Sequence, residues 1–325
     1  MSTTAKIMIE DPIAWLLEED NPSARAFTLQ KILGRPEDDA ELLSAKQAIM
    51  KSQPVLDILK LQDKGGWWDN PDSALAPMYV SSGWQLKYLA ELGAGLNGAI
   101  RKGTEFVIST TQSPKGDFPV QDRMYHKFND CDLICYNGML AWTLLRLGYT
   151  LKDERVKRAV DFLSRIMLES NLNCHFNGDL PCAWGGAQAL QVLSEVPEGA
   201  RSQDVNAAIN QAVEFYLSQD LSKAEYPSKR GVPSKHWWKF GFPRNYQSDI
   251  LQMLVILTDL GFINDPRLDP ALDFLEIKRK KHGLWRVDAT IEKMPVRLVK
   301  RKEPSKWITW QALYVLNEAG RYNPQ

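Results

Sequence analysis

Apolar segments alternate with amphipathic segments along most of the chain. The apolar ones, such as 139–145 and 250–257, would place apolar side chains on nearly all sides of a helix, which is typical of a buried helix. The segment 153–168 is instead one-sided, because Val156, Leu163 and similar residues recur at helical spacing with charged residues between them. The alternation predicts helical hairpins in which the first helix is buried and the second is half-exposed.

The hairpin repeats with a period of about 55 residues, which indicates a helical array. The first helix ends at a similar dipeptide in four units: Leu92-Gly93, Leu147-Gly148, Leu260-Gly261 and Ala319-Gly320. The second helix carries an acid followed by Phe in four units, with the acids at Glu105, Asp161, Glu214 and Asp273. Buried helices inside half-exposed ones predict an all-α fold, an α/α barrel (toroid) of five or six helical hairpins. An open solenoid is the alternative, and it would need less apolar inner helices.

We predict a single domain over residues 1–325, with 1–53 as an N-terminal helical extension. In this extension Asn21 is placed to cap a short helix that begins at Pro22. Convincing strands are absent from the pattern. The segment 286–299 is predicted to form either a short hairpin or a long loop.

The composition is that of an ordinary globular protein, with 44% hydrophobic and 25% charged residues among 325. The 40 basic and 40 acidic residues cancel, which argues against nucleic-acid binding driven by phosphate contacts. No apolar run reaches the roughly 18 residues of a transmembrane segment, and the N-terminus lacks the apolar core of a signal peptide. We therefore expect a cytoplasmic protein, in which cysteines are thiols or metal ligands more often than disulfides.

Soft metal ligands gather between residues 126 and 190, where two apolar helices begin. This stretch contains His126, His175 and all four cysteines of the chain: Cys131, Cys135, Cys174 and Cys182. Because inner helices of successive hairpins are neighbours in a ring, the two cysteine pairs are expected to approach each other. Four thiolates, or three with His175 or water, would form a zinc site. Plain buried thiols are the alternative, since free cysteine is among the most buried residue types.

Three aspartates stand directly before predicted inner helices. Asp130 and Asp132 precede one helix, and Asp249 precedes another. Each aspartate can simply cap its helix, but an acid in an apolar pocket would have a raised pKa and could protonate an alkene, an epoxide or a glycosidic oxygen. Ser248 is placed to cap the second helix and to leave Asp249 facing the barrel mouth. This second candidate cluster is completed by His236, Arg244 and Tyr246.

Tryptophans are concentrated near predicted helix mouths and in inner helices. The candidate substrate-binding ones are Trp67, Trp68, Trp84, Trp142, Trp184, Trp237, Trp238 and Trp307. Their faces can stabilise a carbocation through cation–π attraction or stack on sugars, and core packing is the alternative for each of them. Lys306 and Arg244, near the same predicted mouths, are placed to meet an anionic substrate.

The loops that close the units share a motif. The three clearest copies are Gln62-Asp-Lys-Gly-Gly-Trp-Trp68, Ser113-Pro-Lys-Gly-Asp-Phe118 and Lys280-Lys-His-Gly-Leu-Trp285. Across residues 50–320 this pattern resembles the Gln/Lys-x-x-Gly-x-Trp/Phe repeat of the terpenoid (squalene) cyclase and protein prenyltransferase superfamily. The chain also looks like bacterial prenyltransferase/squalene-oxidase-repeat proteins. The resemblance implies an α/α toroid, a pocket where the inner helices begin, and a small hydrophobic, isoprenoid substrate.

Two motifs of that superfamily are incomplete in this chain. Where class II terpene cyclases carry Asp-x-Asp-Asp, the sequence reads Asp130-Cys131-Asp132-Leu133 and lacks the last acid. Where protein prenyltransferases bind zinc through Asp-x-Cys and a later His, the sequence has Asp132-Leu-Ile-Cys135 and then Cys182. By resemblance, Asp132 or Asp249 would be the acid and the cysteine cluster would hold zinc.

Three functions are consistent with these residues. The first is a terpenoid cyclase- or prenyltransferase-like enzyme that performs a cyclisation, isomerisation or transfer on a hydrophobic substrate. The second is a carbohydrate-active hydrolase or lyase on the same barrel, which a pair of carboxylates about 5–10 Å apart across a polar cleft would favour. The third is a noncatalytic binding protein with a structural zinc ion. The sequence does not specify an oligomeric state.

Overall fold

The computed structural model describes residues 12–119 and 133–324, and the regular structure within these ranges is almost entirely helical. The helices are α1 (Pro12–Leu16), α2 (Pro22–Phe27), α3 (Ala40–Ile49), α4 (Gln53–Lys60), α5 (Ser82–Glu91), α6 (Gly98–Thr111), α7 (Ile134–Arg146), α8 (Glu154–Ser170), α9 (Ala183–Ser194), α10 (Gln203–Leu217), α11 (Ile250–Asp259), α12 (Asp269–Ile277) and α13 (Lys306–Glu318). Helix α2 continues as a π-helical turn, Thr28–Ile32. The predicted all-α class is confirmed.

The described residues contain two short strands, β1 (Asn173–Cys174) and β2 (Leu180–Pro181). They pair antiparallel, with Cys174 opposite Leu180. The segment 286–299, which is predicted to form a short hairpin or a long loop, lies in the long loop between α12 and α13. Two isolated bridges hold it, one from Ala289 to Gly241 and one from Arg286 to Pro304.

The first helices of the units form a closed ring. Helices α5, α7, α9, α11 and α13 each contact the next one in this order. The ring closes because α13 packs against α2 and its π-helical turn, while the Ser23 hydroxyl donates to the carbonyl of Leu92 at the end of α5 (2.6 Å). Within the described residues the toroid therefore has six inner helices, and the first of them comes from the segment predicted as an N-terminal extension.

The second helices pack outside this ring. Helices α6, α8, α10 and α12 lie against α5, α7, α9 and α11, and α3 lies against α2. Four outer helices start at a side-chain cap, since Asp39, Asn97, Asp153 and Ser202 each accept a backbone N–H from the first turn. The inner helices are buried on most sides, and in α11 Ile250 and Leu254 are fully inaccessible. The hydrophobic pattern thus identified the two layers correctly.

The loop motif joins neighbouring outer helices. The amide of Gln62 donates to the carbonyl of Gly66 in its own loop (2.9 Å) and to a carbonyl of α6 (3.0 Å). Gln112 makes the equivalent bonds to Gly116 (3.1 Å) and to the carbonyl of Arg155 in α8 (2.9 Å). Gly116 has a positive φ, and a Cβ there would lie 2.5 Å from a carbonyl oxygen of α8, so the close approach requires glycine.

Candidate functional site

A pocket of about 650 Å³ opens where α9 and α11 begin, under the loop 226–236. We call it the mouth pocket. Its lining includes Phe176, Cys182, Trp184, Tyr226, Lys229, Arg230, Lys235, His236 and Tyr246. The sequence placed four of these residues in candidate sites: Cys182, Trp184, His236 and Tyr246. A pocket at the starts of inner helices is also the location that the family resemblance implied.

A chain of aromatic rings connects the starts of four inner helices at this end of the barrel. Trp84 meets Tyr136 edge-on (6.4 Å between centroids), and Tyr136 stacks on Tyr246 (5.8 Å). Tyr246 in turn meets Trp184 edge-on (6.2 Å). Trp184 Nε1 is buried without a hydrogen-bond partner among the described residues. The wall of the mouth pocket therefore offers aromatic faces together with one unused polar atom.

Cys182 lines the mouth pocket, and the thiol of Cys174 lies next to it. Cys182 caps α9, and its sulfur accepts the backbone N–H of Gly185 (3.4 Å). A hydrogen bond from the Cys182 thiol lowers the pKa of Cys174 to about 6. The same bond, together with burial and the nearby Cys135, raises the pKa of Cys182. Cys174 is therefore the more readily ionised thiol of this pair.

The described residues contain no group of three or more His, Cys, Asp or Glu side chains that could hold a metal ion. His175 is exposed and lies 3.5 Å from a carboxylate oxygen of Asp179 instead of joining the cysteines. Cys131 lies outside the described residues, as do Asp130, Asp132 and His126. The donors that are described do not fit a zinc site.

Asp249 is buried and caps α11. Its Oδ1 accepts the backbone N–H of Gln252 (2.8 Å), and its Oδ2 accepts that of Gly241 (2.9 Å). Burial raises the pKa of this carboxyl against the opposing effect of Arg244, whose Nε lies 3.9 Å away. The expectation that Ser248 caps this helix is wrong, because the Ser248 hydroxyl is engaged with the amide of Gln188 (3.4 Å). Asp249 does not line the mouth pocket.

His236 stands exposed on the rim of the mouth pocket. Partial burial of the imidazole, followed by the neighbouring Lys239, lowers the pKa of His236. The imidazole is therefore neutral near pH 7. A neutral ring at this position can accept a proton from a bound molecule.

A second cavity, of about 290 Å³, lies on the axis of the ring, and all six inner helices contribute to its lining. We call it the central cavity. Three predicted site residues lie here: Trp142, Arg244 and Trp307. The structure therefore separates the predicted second cluster, because Arg244 faces the central cavity while Tyr246 and His236 face the mouth pocket.

The charged lining of the central cavity was not among the residues predicted from the sequence. Glu91, Glu195 and Asp259 come from the ends of α5, α9 and α11. A signal for them exists, because each acid stands two residues before the Gly or Pro that terminates its helix. Three basic residues, Lys31, Arg146 and Arg244, line the same cavity.

The remaining predicted aromatic residues pack within the units. Trp68, Trp84 and Trp237 are fully buried, and each indole N–H donates to a backbone carbonyl. Trp238, which is half-buried, donates to the carbonyl of Ser222 (2.7 Å), and Trp67 lies against Phe106 (5.8 Å). None of these five lines the mouth pocket or the central cavity.

Lys306 is buried at the start of α13, and its charge is compensated by the protein itself. Its Nζ donates to Glu18 (2.7 Å) and to Asp20, and it lies over the ring of Trp15 (5.3 Å). An anionic substrate would have to displace these carboxylates. Among the described residues, no helix is long and apolar enough to cross a membrane.

No protein-family model matches the chain, and no curated protein is significantly similar to it. Among solved structures, a protein from Actinoplanes is 15% identical, with 92% of this chain and 90% of that chain covered and a TM-score of 0.43. The type II terpene cyclase MstE from Scytonema, in complex with merosterolic acid A, is 16% identical, with coverages of 93% and 86% and a TM-score of 0.44. The apo form of the same cyclase is 15% identical, with coverages of 92% and 86% and a TM-score of 0.45.

Proposed function

We propose that the protein is a terpenoid cyclase- or prenyltransferase-like enzyme whose mouth pocket binds an isoprenoid with an anionic head group. The observation that carries the proposal is the combination of an aromatic wall and a basic rim in one pocket. Pockets of this size accommodate small organic ligands, and a few polar groups among apolar walls fix their orientation.

The wall suits an unsaturated hydrocarbon chain. Trp184, Tyr226, Tyr246 and Phe176 present aromatic rings to the pocket. Such faces attract a developing carbocation within about 6 Å of the ring centroid. The reaction class proposed is therefore a cyclisation, isomerisation or group transfer that passes through positive charge.

The rim suits an anionic head group. Lys229, Arg230 and Lys235 are exposed side chains on the loop that covers the pocket. The described residues that line the pocket include neither Asp nor Glu. The positive ends of the α9 and α11 helix dipoles point to the same region. These fields add, so a phosphate or diphosphate is favoured over a neutral head group.

Two residues are proposed to move protons. His236 would accept the proton that a carbocation loses when it collapses to an alkene, since its imidazole is neutral near pH 7. Asp132 remains the proposed acid because it immediately precedes Leu133, the N-cap residue of α7.

Titration calorimetry with farnesyl diphosphate, farnesol and inorganic diphosphate tests the proposal. Farnesyl diphosphate should bind more tightly than either fragment. Trp184→Ala should weaken the binding of farnesyl diphosphate and of farnesol to a similar extent. The triple variant Lys229→Gln/Arg230→Gln/Lys235→Gln should weaken the binding of farnesyl diphosphate and inorganic diphosphate but not that of farnesol.

The matched control carries three substitutions of exposed lysines far from the pocket, Lys60→Gln/Lys64→Gln/Lys115→Gln. It lowers the net charge equally and should leave the affinity for farnesyl diphosphate unchanged. Equal weakening by both triple variants would show that only net charge matters. That result, or no binding of farnesyl diphosphate by the unmodified protein, would overturn the proposal.

A further inference from the structure

The central cavity is chemically unlike the mouth pocket. Its lining residues combine four glutamines, three acids, three bases and several aromatic rings, and the glutamines from the ring helices α9, α11 and α13 are Gln191, Gln252 and Gln311. Most of these side chains already bond to one another. The amide of Gln252 donates to Gln191 (2.8 Å), and the guanidinium of Arg244 donates to Gln311. A polar interior of this kind does not suit a hydrocarbon chain.

Four buried polar atoms of the lining have no hydrogen-bond partner among the described residues. Three are donors, namely Arg146 Nε, Arg244 Nε and Trp310 Nε1, and one is an acceptor, Gln252 Oε1. Gln252 is only 2% exposed, and the Arg244 side chain is only 10% exposed. Leaving such atoms unsatisfied costs about 1–3 kcal/mol each. A ligand that both donates and accepts hydrogen bonds would remove this cost.

The charges around the cavity are already balanced. Lys31 pairs with Asp259 (2.8 Å), and Arg146 lies 3.6 Å from Glu195. Glu91 accepts from the buried Lys87 and from the backbone N–H of Arg244 (3.1 Å). A charged ligand would have to compete with these pairs, and breaking the buried pair of Lys87 and Glu91 would be costly. The cavity therefore favours a ligand without net charge.

Two indole rings are held in fixed orientations at the cavity. Trp307 stacks on Phe242 (4.1 Å, 9° between planes), and Trp310 stacks on Phe27 (4.9 Å, 29°). Both tryptophans line the cavity, together with Trp142 and Tyr314. Flat aromatic surfaces bind the C–H faces of a saturated ring, and the volume of about 290 Å³ accommodates one ring rather than a polymer.

We infer that the central cavity is a second ligand site, which binds a neutral polyhydroxylated ring such as a monosaccharide or a cyclitol. Hydroxyl groups both donate and accept, so a ring that carries several of them can bond to Gln252 Oε1 and to unpartnered donors such as Trp310 Nε1. The inference is independent of the proposed function, because it rests on other residues in another cavity. It concerns binding, and no reaction is assigned to the site.

The test is ligand-observed NMR followed by titration calorimetry of the full chain with D-glucose, D-mannose and myo-inositol. D-Glucuronate and D-glucosamine are the charged counterparts, and glycerol is the reference for weak, unspecific binding. At least one neutral ring should bind more tightly than glycerol and than both charged sugars. Trp310→Phe, which keeps the stacked ring and removes Nε1, should lower the affinity for that ligand about fivefold.

Two controls separate this site from the mouth pocket. Trp15→Phe alters a half-buried indole outside both cavities and should leave the affinity for the neutral ring unchanged. Trp184→Ala should also leave the affinity for the neutral ring unchanged, although this substitution lowers the affinity for farnesyl diphosphate. The inference is overturned if no neutral ring binds better than glycerol, if a charged sugar binds better than its neutral form, or if Trp310→Phe and Trp15→Phe have equal effects.

Discussion

Glu91 and Lys87 form a buried ion pair in α5, and breaking it should destabilise the barrel strongly. Their side chains are only 6% and 3% exposed. Lys87 also donates to the carbonyl of Arg244 (2.7 Å), and Glu91 accepts the backbone N–H of the same residue. The pair therefore fastens the loop before α11 to the far side of the ring. Glu91→Gln keeps an acceptor for the backbone N–H but removes the charge that compensates Lys87.

The expected loss in the free energy of unfolding is about 3–5 kcal/mol at pH 7, the range for a buried charge left without its partner. Burial lowers the pKa of Lys87, and Glu91 opposes that effect. Glu91→Gln should therefore lower this pKa further. Between the folded and unfolded pKa values of a lysine, the unfolded chain binds more protons, so stability rises with pH. The deficit should accordingly be largest near pH 7 and shrink by pH 9.5.

Urea unfolding monitored by circular dichroism at both pH values measures the loss. Asp161→Asn is the matched control, because Lys157 and Asp161 have the same i,i+4 spacing but are about half exposed; it should cost less than about 1 kcal/mol. Adding Lys87→Met to Glu91→Gln should recover most of the stability. The reasoning is refuted if Glu91→Gln costs no more than the exposed control, or if its deficit grows with pH.

Three further predictions concern the loop motif, the ring closure and the thiols. Gln112→Ala, which removes the two bonds between its loop and α8, should cost about 1–3 kcal/mol in urea unfolding, whereas the exposed Gln53→Ala should change stability by less than about 0.5 kcal/mol; equal losses would contradict the role given to the motif. Ser23→Ala should lower the free energy of unfolding by about 1 kcal/mol, because it removes the side-chain hydrogen bond between α2 and the end of α5. An unchanged midpoint of urea unfolding would contradict this role of Ser23. Alkylation of Cys174 by iodoacetamide should rise with pH around a midpoint of about 6, and Cys182→Ala should move that midpoint upward; a midpoint that stays near 6 in the variant would exclude the thiol–thiol bond as its cause.

The helical class, the two layers and the repeat could be predicted from the sequence alone. These features are local, because the spacing of apolar residues within one helix predicts whether that helix is buried on all sides or on one side. The Gln62 and Gln112 loops were also recognisable, since their bonds span four residues within the motif and reach only the next outer helix. The concentration of candidate residues at the starts of inner helices followed from the same repeat.

Ring closure and the division into two sites were decided only by the tertiary structure. Ser23 reaches Leu92 across 69 residues of sequence, and no periodicity predicts that a short N-terminal helix completes the ring. Arg244 and Tyr246 are two residues apart in an irregular loop, yet they face different cavities. Glu91, Glu195 and Asp259 stand at equivalent positions in their helices, but only the closed ring brings them to one axis. Local sequence patterns specify which side of a helix is buried, whereas the shape of the space enclosed depends on how all six inner helices pack together.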